Sequence, residues 1–279
     1  MLRIKQMIQK IFNLFGYRIS RIDQRNLAHE RKVANAFYQG HCFKVFMNDS
    51  IGDAILTGEG WDNHLQDIFG KYLSKSSGDI LEIGANIGAS FIPIAGRYPN
   101  LTFHCIEPIP DFYELLEFNK SSFGCTNVKL YNCAMGDVAG NEIVIHGQVG
   151  TAGALKRYDE HRYVDSFTLP IVTVDQMFSG YDIKMIKIDV DGNELSVLQG
   201  ARKVLTDMDP LLFIEFHLRL MRDLNINPRD FLQLIQNFGY KEMTIWDNFG
   251  SYIGTIQSFD ELLDIAESVP WYVDVLFQK

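Results

Sequence analysis

The segment Glu82-Ile-Gly84-Ala-Asn86-Ile-Gly88 decides the fold class of this 279-residue chain. It follows a short apolar run, Asp79–Ile83, and precedes a helical stretch, and open α/β sheets bind ligands at such strand-to-helix loops. The dinucleotide fingerprint has glycine at its first, third and sixth positions, whereas here Gly84 is followed by Asn86 and Ala89. The loop therefore predicts a site where a ligand can come close to the backbone. It supports pyrophosphate binding only weakly.

Four further apolar runs have the composition of buried parallel strands, because each is bounded by Gly, Pro, Asn or Asp. These runs are Leu101–Ile106, Val128–Asn132, Lys184–Asp189 and Leu211–Phe216. Helical stretches separate them, which predicts an α/β fold with a doubly wound, mostly parallel sheet. A hairpin at Lys241–Trp246 and Tyr252–Ile256 and a last strand at Trp271–Phe277 complete a predicted unit over residues 76–279.

Two segments depart from this alternation. Residues 140–175 are rich in glycine and then polar and aromatic, which predicts an inserted flap. Its residues Tyr158, His161, Arg162 and Tyr163 either grip a sugar acceptor by stacking and hydrogen bonding or belong to a solvated loop. Residues 1–75 predict an N-terminal helical extension rather than a domain with a core of its own.

The charge is distributed unevenly along the chain. The net charge of −9 argues against nucleic acid as a partner, because such binding depends on neutralising phosphates. The first 32 residues nevertheless hold eight basic and two acidic side chains, so this head carries +6 and the remainder −15. Residues 1–16 have apolar side chains at helical spacing between Arg3, Lys5 and Lys10. This pattern predicts an amphipathic basic helix that docks either on its own domain or on an anionic membrane surface.

The location of the protein is predicted from what the sequence lacks. It has no apolar run of about 18 residues and no apolar core of a signal peptide. Its four cysteines, Cys42, Cys105, Cys125 and Cys133, show no metal-ligand spacing, which favours reduced thiols. We therefore expect a cytoplasmic protein, with the inner face of a membrane as the alternative location.

Three features in chain order favour a cofactor that carries both a nucleoside and an amino acid, as S-adenosylmethionine does. Glu82 ends the first strand and is expected to accept hydrogen bonds from an ammonium group. Glu107 and Pro108 end the second strand, about twenty residues beyond the glycine loop, where a carboxylate accepts ribose hydroxyls. Ala134 and Asp137 follow the third strand, where an adenine ring would lie. Each feature alone is common in α/β folds, but the order of the three is more specific.

With these residues the chain resembles the FkbM family of S-adenosylmethionine-dependent methyltransferases over residues 58–279. The resemblance rests on Leu81-Glu82-Ile83-Gly84-Ala85-Asn86-Ile87-Gly88, Ile106-Glu107-Pro108, Ala134-Met135-Gly136-Asp137 with Gly140, Val174-Asp175, residues 186–194 and Leu198-Gln199-Gly200-Ala201. Gly60-Trp61-Asp62 is similar to the family's aromatic-acid element, although Glu is expected at Asp62 and is commoner at Asp191. The resemblance implies O-methylation of a sugar, glycan or polyketide-derived hydroxyl. It also implies a Rossmann-like class I methyltransferase fold, with a seven-stranded sheet and an antiparallel C-terminal edge.

The predicted chemistry lies at the ends of the fourth and fifth strands. Strand alternation puts Lys187, Asp189 and Asp191 on one side of the fourth strand and Glu215 and His217 on one side of the fifth. Methyl transfer needs an aligned acceptor oxygen and a group that takes its proton. We expect Asp189 or His217 to be that proton acceptor, with Lys187 holding a carboxylate or polarising the acceptor oxygen.

Several alternatives stay open from the sequence. Asp191 and Glu194 have the spacing of a helix-capping pair. Asp189, Glu215 and His217 are candidate ligands of a divalent cation that would orient the acceptor.

Predicted cofactor contacts are Glu82, Gly84, Asn86, Gly88, Glu107, Pro108, Ala134 and Asp137. The alternative functions are a nucleotide-dependent sugar oxidoreductase or epimerase and a non-catalytic, membrane-associated scaffold.

Overall fold

The computed structural model describes residues 32–140 and 165–279, and between them the backbone of residues 142–147; for residues 165–168 it describes the backbone alone. The predicted basic helix at residues 1–16 and the flap residues Tyr158, His161, Arg162 and Tyr163 lie outside the described residues. In the part of the chain that is described, no helix is long and apolar enough to cross a membrane. The four cysteines are all free thiols.

The described elements alternate between strands and helices for most of the chain. In order they are β1 (Val33–Tyr38), β2 (His41–Phe46), α1 (Ser50–Thr57), α2 (Leu65–Ile68), a π-helical turn (Phe69–Leu73), β3 (Gly78–Ile83), α3 (Ile92–Ala95), β4 (Leu101–Ile106), α4 (Pro110–Phe123), β5 (Val128–Tyr131), β6 (Ala134–Met135), β7 (Glu142–Gly147), β8 (Asp165–Val172), α5 (Val174–Phe178), β9 (Ile183–Ile188), α6 (Glu194–Gln199), α7 (Arg202–Asp207), β10 (Leu211–Phe216), α8 (Leu218–Asp223), α9 (Pro228–Asn237), β11 (Glu242–Asp247), β12 (Tyr252–Ile256), α10 (Phe259–Ser268) and β13 (Val273–Gln278).

The central sheet confirms the predicted α/β class. Its strand order is β12-β11-β13-β10-β9-β3-β4-β5, with parallel pairing from β10 to β5 and antiparallel pairing from β10 through β13 and β11 to β12. The sheet has eight strands rather than the expected seven. The difference is β12, which continues the sheet beyond β11 as the second strand of the predicted hairpin.

Strand alternation separates two cores, one on each face of the sheet. On β3, Leu81 and Ile83 join the core that also contains Phe216 and Phe231, while Ile80 faces the opposite core. That second core is covered in part by residues 65–73, through Leu65, Ile68, Phe69 and Leu73. Residues assigned to the N-terminal extension therefore form part of the main core, so the boundary at residue 75 divides a packed unit.

The predicted helical extension also contains a β-hairpin, which corrects the prediction of helices throughout residues 1–75. Strands β1 and β2 pair antiparallel around Gln39 and Gly40, which both have positive φ angles of 45° and 89°. Such a two-residue turn matches the twist of the flanking strands. The sequence signal was the alternation of apolar residues around this turn. Phe43 and Val45 of the hairpin belong to a third hydrophobic cluster, which also contains Ile87 of the glycine loop.

Both ends of the predicted flap belong to strands. Strand β7 pairs antiparallel with β8, and β8 pairs parallel with the short strand β6, so the three form a separate small sheet. The flap therefore leaves and rejoins the fold at a defined position, next to β6.

Asn119 of α4 ties the hairpin to the glycine loop. This fully buried side chain accepts a hydrogen bond from Lys44 N at 2.7 Å and donates to Lys44 O at 3.0 Å and Ile87 O at 2.8 Å.

Asn119→Ala should lower the free energy of unfolding by about 1–3 kcal/mol, because it leaves buried backbone groups without partners. Urea denaturation measures the change. The exposed Asn237→Ala is the control and should change it by less than about 0.5 kcal/mol; equal losses in the two variants would contradict this role.

Candidate active-site cleft

A cleft of about 280 Å³ lies at the carboxyl ends of β3, β4, β9 and β10, where the sequence predicted a ligand site. Among the residues that line it are Ser50, Trp61, Gly84, Asn86, Ser90, Glu107, Pro108, Phe112, Lys187, Asp189, Asp191, Glu215, His217, Trp271 and Tyr272. The fold thus brings the glycine loop together with the acidic group predicted at the ends of β9 and β10.

The glycine loop crosses the end of the sheet in close contact with β9. Gly84 has a φ of 90°, and a Cβ atom at this position would lie 1.8 Å from the carbonyl oxygen of Asp189. Only glycine fits here, because a side chain would overlap the neighbouring backbone. Gly88 is also constrained, with a φ of 82°, but it faces Ile92 and Leu116 and is not part of the cleft lining. Gly88 thus supports the loop by packing.

Glu107 joins the glycine loop to the loop after β4. Its carboxylate accepts hydrogen bonds from Asn86 N and Ile109 N, each at 2.8 Å. The residue is only 4% exposed, yet it lines the cleft together with Pro108. Asn132 Nδ2 donates to the carbonyl oxygens of Glu107 and Pro108 at 2.8 and 3.1 Å. A carboxylate is therefore held at the position where the sequence predicted ribose recognition.

The structure does not bring Ala134 and Asp137 into the cleft lining. Ala134 is buried in β6, which pairs with β8. Asp137 lies on the surface, where its Oδ1 accepts a hydrogen bond from Ser196 Oγ at 3.0 Å. This differs from the predicted adenine contact, because pairing with β8 carries the chain after β5 into the small sheet.

Lys187 is the positively charged centre of the site. Its side chain is 3% exposed, and Nζ lies 2.8 Å from Asp189 Oδ2 and 3.7 Å from Asp62 Oδ2. Burial alone would lower the pKa of Lys187, but the charges of Asp189, Asp62 and Glu82 raise it above its usual value. The ammonium group therefore stays charged, and it holds Asp189 in place as one of the two predicted roles requires.

Glu82 lies beneath the cleft and not in its lining, which corrects the predicted contact with a ligand's ammonium group. Alternation on β3 turns it to the same face as Ile80, and it is fully buried. Cys105 Sγ donates to Glu82 Oε2 at 3.2 Å, while Oε1 has no hydrogen-bond partner among the described residues. Burial raises the pKa of Glu82 to about 8, and the charge of Lys187 offsets only part of this effect.

Asp189 and Glu215 occupy different electrostatic environments in the cleft. The Asp189 side chain is 29% exposed and paired with Lys187. Burial and the charges of Asp189 and Asp191 raise the pKa of Glu215 well above its usual value. Asp189 is therefore the accessible carboxylate with a cationic partner, whereas Glu215 retains its proton to higher pH than an ordinary glutamate.

His217 lines the cleft but also caps the helix α8. Its Nδ1 accepts a hydrogen bond from Leu220 N at 3.1 Å. In a neutral imidazole this bond leaves the proton on Nε2, so the other nitrogen is a donor. This geometry opposes the predicted role of His217 as proton acceptor and leaves Asp189 as the better candidate.

The capping pair predicted at Asp191 and Glu194 takes another form. Asp191 has a φ of 52°, and the residue before α6 is Asn193. Glu194 is buried and accepts hydrogen bonds from Val190 N at 3.2 Å and Gly192 N at 3.0 Å. Its carboxylate therefore closes the loop after β9, while Asp191 lines the cleft.

The predicted cation ligands Asp189, Glu215 and His217 all line the cleft. In the part of the chain that the structure describes, however, they do not form a group whose donor atoms lie within 4.8 Å of one another. In the tertiary structure Asp189 is instead paired with Lys187, and His217 Nδ1 accepts a hydrogen bond from the backbone of helix α8.

Several residues of the site were missed as site residues from the sequence. Ser90 Oγ donates to Asp62 Oδ2 at 2.6 Å, and Trp61, Trp271 and Tyr272 line the cleft. The aromatic-acid element Gly60-Trp61-Asp62 was the sequence signal for Trp61 and Asp62. Trp271, assigned from the sequence to the last strand, precedes β13 and is 43% exposed at the cleft.

The raised pKa of Glu82 predicts a pH-dependent stability. Between its ordinary value of 4.5 and about 8, the folded state holds a proton that the unfolded state has released. Stability therefore falls as pH rises through this window. Glu82→Gln, which stays neutral, should reduce that fall, as measured by urea denaturation at several pH values. The exposed Glu114→Gln should keep the wild-type slope, and an unchanged slope in Glu82→Gln would contradict the assignment.

The chain is similar, at low sequence identity, to several solved structures. One is TYW2 from P. horikoshii in complex with MeSAdo (14% identity, 90% of this chain and 73% of that chain covered, TM-score 0.46). Two others are TYW2 from M. jannaschii in complex with AdoMet (14%, 90% and 88%, TM-score 0.43) and a SAM-dependent methyltransferase from Aquifex aeolicus (9%, 76% and 87%, TM-score 0.41). No curated protein matched the chain.

The family comparison covers the site itself. The model of the methyltransferase FkbM domain matches residues 82–242, which is more than half of the chain. This range begins at the end of β3 and includes the glycine loop, Glu107, Lys187, Asp189 and His217. The chain therefore belongs to the FkbM methyltransferase family.

Proposed function

We propose that this protein transfers the methyl group of S-adenosylmethionine to a hydroxyl of a sugar, glycan or glycoconjugate. The observation that carries the proposal is the position of Asp189. Its partly exposed carboxylate is held by the buried Lys187, in the same cleft as the glycine loop and Glu107. A group suited to accept a proton thus shares one cavity with a loop suited to a nucleoside.

The residues around the glycine loop fit S-adenosylmethionine. The close approach of Gly84 to the Asp189 carbonyl leaves no room for a side chain, so the loop backbone itself borders the cleft. Glu107 would hold the ribose hydroxyls, with Pro108 beside it. When bound, S-adenosylmethionine supplies an electrophilic methyl group on a sulfonium.

Other residues of the cleft lining suit a saccharide. Trp61, Trp271 and Tyr272 present aromatic surface, while Asp191 and His217 add polar groups to the same lining. Ligand sites typically combine apolar and aromatic walls with a few polar groups that set orientation. A sugar ring offers both apolar C–H faces and hydroxyls, so it matches this lining better than a purely apolar acceptor.

Proton removal is the chemical task that this chain would perform itself. Asp189 would accept the proton of the acceptor hydroxyl at its carboxylate, and Lys187 would fix that carboxylate through the 2.8 Å contact. His217 would donate from Nε2 to a neighbouring acceptor oxygen. General base catalysis of this kind contributes roughly 10²–10⁴-fold to a rate.

The partners and location outside the cleft stay proposals. Membrane contact through residues 1–16 rests on their charge and apolar spacing alone, since they lie outside the described residues. A cytoplasmic enzyme held at the inner face of a membrane would be close to glycans under assembly. Nucleic acid is not proposed as a partner because of the net charge of −9.

Cofactor binding tests the first half of the proposal. Isothermal titration calorimetry should detect S-adenosylmethionine binding and no comparable binding of NAD. Glu107→Ala should weaken binding by about 1–3 kcal/mol, or roughly 5- to 150-fold, because hydrogen bonds to a charged acceptor are lost. The exposed Glu117→Ala on α4 is the matched control and should bind like the wild type. Tight NAD binding without S-adenosylmethionine binding would overturn the methyltransferase proposal.

Turnover tests the second half. S-adenosylhomocysteine release is measured against a panel of sugars and glycans. With an acceptor that turns over, Asp189→Asn should lower kcat by roughly 100-fold or more and change cofactor affinity little. Asp182→Asn is a matched control, because Asp182 pairs with Lys184 at 2.7 Å next to the same strand but far from the cleft lining. Wild-type turnover in Asp189→Asn would exclude it as the base.

A further inference from the structure

A second, smaller cavity of about 110 Å³ adjoins the cleft. It lies between the loop at residues 58–64, the turn between β11 and β12, and the start of β13. Trp61 and Tyr272 line both cavities, so they form the wall between them. Its polar lining includes Asp62, His64, Asn248 and Asp274.

Three of these side chains have the spacing of metal ligands. One donor atom each from Asp62, His64 and Asp274 lies within 4.8 Å of the other two. Ligands of one cation stand about 2.0–2.6 Å from it, so donor atoms on the same ion are at most roughly 4–5 Å apart. The three residues come from two distant parts of the chain, residues 62–64 and strand β13, and only the fold brings them together.

Buried polar atoms without hydrogen bonds belong to two residues that line the same cavity. His64 is 6% exposed, and neither of its ring nitrogens has a hydrogen-bond partner among the described residues. Its Nε2 lies 3.3 Å from Asp274 Oδ2, close but without hydrogen-bond geometry. Asn248 Oδ1 is likewise buried with no hydrogen-bond partner in the described part of the chain. Buried polar groups are normally satisfied, so these atoms indicate a ligand.

The surroundings of His64 make this arrangement costly without a ligand. Its ring centroid lies 5.4 Å from that of Trp246 and 5.6 Å from that of Phe213, and the carboxylate of Asp274 lies beside it, 3.3 Å from Nε2. A buried polar group without a hydrogen bond destabilises the folded state. A cation between His64, Asp62 and Asp274 would bind one nitrogen of the imidazole and compensate two carboxylates at once.

We propose that Asp62, His64 and Asp274 bind a divalent transition-metal ion, with Asn248 Oδ1 as a further oxygen donor. One imidazole with carboxylate and amide oxygens favours Mn²⁺ or Zn²⁺ over Ca²⁺, which prefers oxygen ligands alone. Asp62 Oδ2 already accepts from Ser90 Oγ and faces Lys187, so the ion would share this carboxylate with the catalytic cleft.

The ion would connect the wall residues Trp61 and Tyr272 to the predicted site residue Lys187. It would join the 58–64 loop to β13 and thereby hold Trp61 and Tyr272, the wall shared with the cleft. Asp62, fixed by the metal, would in turn position the ammonium group of Lys187. Metal binding itself does not depend on the proposed methyl transfer, so the two proposals fail separately.

Metal binding to the full chain tests the site directly. Protein stripped with EDTA is titrated with MnCl₂ and with ZnCl₂ by isothermal titration calorimetry, without S-adenosylmethionine. We expect one ion per chain and a rise in the melting temperature, since a ligand that binds only the folded state stabilises it. His64→Ala and Asp62→Asn should each weaken binding at least tenfold. The exposed Asp67→Asn, on α2, is the matched control and should bind like the wild type.

Other outcomes overturn the proposal. Absence of binding by the wild type, or wild-type affinity in both His64→Ala and Asp62→Asn, would show that His64 and Asp274 form only an ion pair. Binding lost in Glu215→Gln but kept in His64→Ala would place the ion in the cleft instead. Circular dichroism checks the fold of each variant, and if His64→Ala does not fold, Asp62→Asn and Asn248→Ala decide the result.

Discussion

The buried ammonium group of Lys187 is the interaction on which the rest of the site depends. Removing a cation from water costs several kcal/mol unless opposite charges and hydrogen bonds compensate. Asp189 and Asp62 provide that compensation at 2.8 and 3.7 Å, and they come from the end of β9 and from the 58–64 loop. The lysine therefore fixes two separate segments. Without it, the carboxylates gathered around it would repel one another.

A row of polar side chains crosses the same face of the sheet. Glu82, Lys187, Glu215 and Asp274 belong to the adjacent strands β3, β9, β10 and β13, and each faces the side opposite its apolar neighbours. Further along this face the sheet is covered by an aromatic core. Burial at the edge of that core raises the pKa values of Glu82, Glu215 and Asp274, the last to about 6. The site is thus a polar end of an otherwise apolar layer, where a buried cation lies near three carboxyl groups of raised pKa.

Local pattern was enough for most of the fold and for part of the site. The strands β3, β4, β5, β9 and β10 were predicted within two residues, because fully buried strands are continuous apolar runs between turn residues. The same reasoning placed Gly84, Asn86, Glu107, Lys187, Asp189 and His217 in one cleft. It missed the β1–β2 hairpin, whose alternation is short. It also failed at Ala134 and Asp137, because pairing of β6 with β8 is a long-range event.

The α/β class, the glycine loop and the family could be assigned from the sequence, since each depends on residue types at fixed local spacing. The roles of the charged residues depend on the tertiary structure. Glu82 lies near the end of a strand, as a ligand-binding acid would, but strand alternation turns it into the core. Conversely, Asp62, His64 and Asp274 are more than two hundred residues apart at the extremes, and no spacing rule joins them. The burial of a charged side chain and the identity of its partner arise from packing between distant segments, so they cannot be derived from either segment alone.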